Sequence, residues 1–111
     1  MIKDLQTLKR LLEGFNEEQK ASCLDGALFE LKEAGAPIEE QAEAALMLIQ
    51  HALNGGSSFG YVMMQQAVGI VIENKEGLKN PENALMQAEE ARRRYRTDER
   101  YPEHNIFTCQ G

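Results

Sequence analysis

The chain contains no tryptophan, only three prolines, two cysteines and two histidines among 111 residues. Two isolated thiols, Cys23 and Cys109, make neither a disulfide framework nor a Cys-x-x-Cys redox motif, so both are expected to stay free in a reducing cytoplasm. His51 and His104 stand singly, without the paired spacing that a zinc site needs. Long apolar runs are also missing: acidic residues interrupt each one short of a membrane span, and Met1-Ile2-Lys3-Asp4-Leu5 lacks the apolar core of a signal peptide. A glycine-rich phosphate loop is absent, because Gly55-Gly56-Ser57-Ser58 has neither the lysine nor the preceding strand. The tail Thr108-Cys109-Gln110-Gly111 does not match a prenylation box. These absences lead to the expectation of a cytoplasmic chain with no membrane anchor, no cofactor and no bound metal.

What is present is acid. Eighteen Asp+Glu against twelve Lys+Arg leave a net charge of −6, while 42% apolar and 27% charged residues are ordinary for a folded globular protein. The length suits one domain, enough to bury about two thirds of its unfolded surface in a single core.

Ile2, Leu5, Leu8, Leu12 and Phe15 recur every three to four residues, which predicts a first helix running to about Gly14. Asn16 followed by Glu17 and Glu18 is a start signal for a second, with the stripe Cys23, Leu24, Ala27, Leu28 and Leu31 and a glycine stop at Gly35. Gly26 is the unfavourable position in that helix, read as a close contact or a break. Pro37 in a first turn, with Glu39, Glu40 and Glu43 after it, predicts a third helix to about Leu53; Ile38, Ala42, Ala45, Leu46, Ile49, Ala52 and Leu53 share its apolar sector. Asn54-Gly55-Gly56-Ser57-Ser58 is the clearest loop.

Residues 59–72 are the least polar stretch. Phe59, Val62, Met63, Ala67 and Ile70 are expected on one face of a helix, and Tyr61, Met64, Val68 and Ile72 on another. A strand over Val68–Ile72 competes, but no second strand is available to pair with it. A helix apolar on two sides must be buried on two sides, so it is either central, wrapped by the other helices, or seated with one face against another chain. Asn80-Pro81-Glu82 starts a fifth helix with Ala84, Leu85, Ala88, Ala91 and Tyr95 inside, and Pro102 blocks its continuation. The fold expected is all-α: a compact bundle of about five helices in one domain over residues 1–101. Residues 102–111 form a C-terminal tail packed on or near the bundle.

Two features suggest chemistry. Glu40 with Glu43, and Glu73 with Glu76, have the spacing that places two acids on one helix surface to hold a divalent cation. In those four glutamates the chain resembles all-α nucleotide pyrophosphatases of the MazG kind, and that likeness implies metal-dependent nucleotide hydrolysis as an alternative activity. The helical wheel, however, turns Glu40 and Glu43 away from the apolar sector, whereas metal ligands must converge inward. The other feature is arginine. Residues 92–111 carry five arginines against three acids, and the cluster from Arg92 to Arg100 suggests a nucleic-acid-binding regulator as a further alternative. The order Gln66-Ala67-Val68-Gly69-Ile70-Val71-Ile72, Gly77-Leu78 and Ala84 is similar to part of an ANTAR RNA-binding module over about a third of the chain. Its third helix has no counterpart because of Pro102. A net −6 repels nucleic acid at distance, so nucleic acid is not the expected partner.

The function expected is therefore binding without catalysis: an acidic inhibitor, adaptor or regulatory module for another protein with a basic surface, and a homodimer. Glu39, Glu40 and Glu43, with Glu30 and Glu33, are expected to steer the partner. Tyr61, Met64 and Val68 are expected to supply apolar contact, and Arg92, Arg93 and Arg96 are further candidates at the interface.

Overall fold

In the computed structural model, residues 2–55 and 59–96 are described. The tail expected at 102–111, and Arg100 with it, lies outside these residues. Five α-helices follow one another without an intervening strand among the described residues: α1 (Leu5–Glu13), α2 (Glu17–Glu33), α3 (Ile38–Leu53), α4 (Tyr61–Glu73) and α5 (Pro81–Arg96). A single 3-10 turn, Lys75–Gly77, links α4 to α5. The all-α bundle expected from the periodicities is the fold observed.

Local signals set most helix ends. Asp4 caps α1, its carboxylate accepting the Thr7 N–H at 2.8 Å, so α1 starts at Leu5 and Ile2 lies outside the helix, buried all the same. Asn16 and Gln19 cap α2 reciprocally: Gln19 N–H donates to the Asn16 side chain at 2.8 Å, and Asn16 N–H to the Gln19 side chain at 2.9 Å. At its other end Gly35 takes φ +79°, a left-handed conformation that a side chain would strain. Gly35 N–H then reaches Lys32 O and Ala36 N–H reaches Leu31 O, closing α2 with a Schellman motif whose Leu31 and Ala36 are both buried. Pro37 sits one place earlier than expected, as the residue before α3, its carbonyl accepting from Glu40 and Gln41 N–H. Asn80 accepts the Asn83 N–H at 3.1 Å ahead of Pro81, the start signal read for α5.

Packing departs from the sequence reading in one respect. The helix that touches all four others is α3, not α4. Alanine is the reason: Ala42, Ala44, Ala45 and Ala52 are all buried on α3, and short side chains on more than one face let neighbours approach from several directions. The helix α4 starts at Tyr61, with Phe59 buried in the segment before it, and it lies against α3 and α5. A single stripe of α4 is interior: Met64, Ala67, Val68 and Val71. The strand alternative for Val68–Ile72 is excluded, since those residues are helical. Gly26 neither breaks α2 nor marks close packing; a Cβ there would meet only Glu30 Oε2, at 3.8 Å.

The N-terminal segment is tied down by two carboxylates from different helices. Glu30 on α2 accepts the Ile2 N–H at 2.7 Å, and Glu40 on α3 accepts the Leu5 N–H at 2.9 Å. Both bonds are charge-assisted; the Leu5 N–H is one of the donors that the start of α1 leaves open, and the Ile2 N–H belongs to the segment before it.

Candidate functional site

Because α4 buries one stripe only, its opposite side faces out toward α2 across the surface of α3. The result is a groove of about 410 Å³ whose α2 wall is Leu28, Phe29 and Lys32, whose end is Gln41, and whose α4 wall runs from Met63 through Gln66, Gly69 and Ile70 to Glu73. Phe29 is the conspicuous side chain: it is 65% exposed, although aromatic and flanked by the buried stripe Leu24, Ala27, Leu28 and Leu31. Helical spacing explains its position, because residue 29 lies off a stripe running 24, 27, 28, 31. On α4, Val62 is 67% exposed beside half-buried Met63 and Ile70. The Nε2 of Gln65, also in the groove wall, is buried without a hydrogen-bond partner.

The residues named from sequence divide sharply. Met64 and Val68 are interior, at 0% and 2% exposure, so they cannot face a partner; the apolar α4 residues that can are Val62, Met63 and Ile70. The sequence reading misassigned the faces because nearly every residue of α4 is apolar and the wheel alone could not choose its inward side. Tyr61 is half-buried at the start of α4. Among the acids, Glu39 is exposed and Glu43 half-buried, whereas Glu30 and Glu40, both expected on a steering surface, turn to the N-terminal segment. The signal that could have found Phe29 was present in the sequence: a phenylalanine placed off the apolar stripe of an otherwise regular amphipathic helix.

The four glutamates of the metal reading are not brought together. Glu40 is engaged with Leu5 N–H, Glu73 and Glu76 are exposed on α4 and the turn after it, and among the described residues no three His, Cys, Asp or Glu side chains form a metal-holding group. At the end of α5, Arg92, Arg93 and Arg94 are exposed. Arg93 pairs with Glu90, and Arg94 Nε lies 3.4 Å from Glu90 Oε2. Part of the basic cluster is thus neutralised within its own helix, although exposed pairs of this kind add little to stability. Of Arg96 only the backbone is described.

Among the described residues, two titrating groups are perturbed. The Thr7 backbone N–H, then its hydroxyl, hold the Asp4 carboxyl below its usual range. Burial, helped by the nearby Glu30 charge, pushes the Cys23 thiol up, which disfavours the reactive thiolate. Cys23 is half-buried on the α2 stripe, packed against the core.

No family model matches the chain, and no curated protein or solved structure matches it either.

Proposed function

We propose that this chain is a non-catalytic protein-binding module, and that the α2–α4 groove receives an amphipathic helix of a partner with basic flanks. The observation that carries the reading is Phe29, 65% exposed on the rim of a groove whose facing wall offers Met63 and Ile70. A large aromatic beside a concave apolar surface offers an incoming amphipathic helix contact area to bury, the mode of helix-in-groove recognition. Methionine suits the opposite wall, since its flexible thioether adapts to the shape of an incoming side chain. The partner's charge follows from the chain's own: the groove lining itself holds one lysine, Lys32, against one acid, Glu73, but the chain's net −6, with Glu39 exposed two residues before Gln41, favours a helix flanked by lysine or arginine. The role that fits is occlusion or adaptation in a reducing, cytoplasmic setting, where both thiols stay free.

The test is paired capture from the native source with the wild-type chain and Phe29→Glu as baits, read by mass spectrometry. Proteins held by the wild type and lost with Phe29→Glu are expected; an identical set from both baits would sink the groove as the docking surface. Light scattering on the same two proteins tells whether the occupant is a second copy, the homodimer expected from sequence. In that case the wild-type mass is doubled and Phe29→Glu returns it to that of one chain.

A further inference from the structure

We infer that the chain's own C-terminal segment, through Ile106 and Phe107, occupies the α2–α4 groove when no partner is bound, so that the docking surface is held closed in cis. The inference rests on the reading of that groove as a docking surface and adds what regulates it. Residues 97–111 follow α5 outside the described residues. Ile106-Phe107 is the one adjacent apolar pair among them, and after Glu103 there is no Lys, Arg, Asp or Glu.

Reach comes first. The helices α4 and α5 pack together and are joined only by residues 74–80, so they run antiparallel and the C-terminal end of α5 lies beside the start of α4. Met63, on the α4 wall of the groove, is in the first turn of that helix. Passing over α4 takes about 10–12 Å, the diameter of a helix, and Ile70 lies seven residues, about 10 Å, further along. Ile106 comes ten residues after Arg96, a tether of up to about 33–36 Å. Both ends of the α4 wall are therefore within its range.

Charge and concentration then choose between occupants. The groove lining sets one lysine, Lys32, against one acid, Glu73, and a segment without ionic side chains brings no charge to repel or desolvate there. A second copy instead brings a net −6 to a chain of −6, and repulsion opposes its approach. It must also bind from dilute solution, whereas a tether of this length supplies the pair at an effective concentration on the order of millimolar. Modest apolar contact with Phe29, Met63 and Ile70 is then enough to fill the groove, and a tighter partner displaces it.

The test is paramagnetic broadening in the full chain. With Cys23→Ala the only thiol is Cys109, two residues from Phe107, and a nitroxide attached there marks the position of the pair. Expected is loss of the amide signals of Phe29, Met63, Gln66 and Ile70 relative to the reduced label, while Lys9 and Glu13 on α1, which does not line the groove, keep theirs. Ile106→Glu combined with Phe107→Glu should restore the groove signals and, as a bait, should hold more of the proteins that Phe29→Glu loses. Groove signals at full intensity, broadening indifferent to the double substitution, or capture unaffected by it overturns the proposal. Broadening that also arises when spin-labelled chains are mixed with ¹⁵N-labelled, label-free ones gives the groove to a second copy and overturns it too. Loss of captured proteins with Phe29→Glu in the absence of broadening would remove the C-terminal pair and leave the groove as a docking surface, so the two readings fail separately.

Discussion

Truncating Met64 separates a core position from a surface one, which the sequence alone could not do. Met64 is fully buried in α4, so Met64→Ala removes its hydrophobic burial and leaves a cavity; such truncations cost about 2–5 kcal/mol. How well the site can collapse decides where in that range it falls. The helices flanking α4 bury mainly alanine, with Ala42, Ala44, Ala45 and Ala52 on α3 and Ala84, Ala88 and Ala91 on α5. A methyl group cannot swing into a void, so the cost stays off the lower end of the range, at about 3–4 kcal/mol. For a domain of this size that lowers Tm by roughly 12–25 °C, and at a urea m-value of about 2 kcal/mol/M it moves the midpoint by about 1.5–2 M. Val62→Ala is the control: at 67% exposure it should change stability by no more than about 0.5 kcal/mol. Urea denaturation followed by far-UV circular dichroism measures both. If Met64→Ala costs less than about 1 kcal/mol, or no more than Val62→Ala, the inward side of α4 has been assigned wrongly, and the groove facing α2 with it.

Gly26→Ala should stabilise the protein by about 0.5–1 kcal/mol, because the residue is in mid-helix and the new methyl meets nothing closer than Glu30 Oε2 at 3.8 Å. A midpoint that falls instead would mean that another group occupies that space. Asp4 makes the N-terminus of α1 sensitive to acid. Its carboxyl is held below the ordinary 3.8 in the folded chain, so the cap stabilises α1 fully above that value and is lost as the pH falls through the lower folded one. The protection factor of the Thr7 amide, its exchange relative to an unstructured chain at the same pH, should therefore fall below about pH 4 in the wild type but not in Asp4→Asn, which keeps a capping oxygen without the charge. An equal fall in protection in both would show that protonation of Asp4 is not the cause.

Much of the fold was legible because it is written locally. The reciprocal cap at Asn16, the left-handed Gly35, the Asn80-Pro81 start and the interior alanines of α5 each depend on residues within a turn or two of one another. Short-range hydrogen bonds and the helical period act on these directly. The candidate site was only partly legible. Phe29 falls off its stripe by simple periodicity, yet that it borders a groove depends on α4, more than thirty positions further along the chain. Glu30 and Glu40 looked like free surface acids because the donors they accept from, the Ile2 and Leu5 N–H groups, are separated from them by 28 and 35 positions.

By itself, then, the chain's order of residues determined that the described residues form five helices, roughly where each begins and ends, and that no membrane-spanning helix is among them. Only the tertiary arrangement decided that α3 rather than α4 is central, that Met64 and Val68 point inward, and that Phe29 remains outside. The division has a physical cause. Helix formation and capping answer to near neighbours, whereas the choice between two apolar faces of one helix is made by whichever surfaces the other helices bring to it. Here the alanines of α3 and α5 set how closely those surfaces can come.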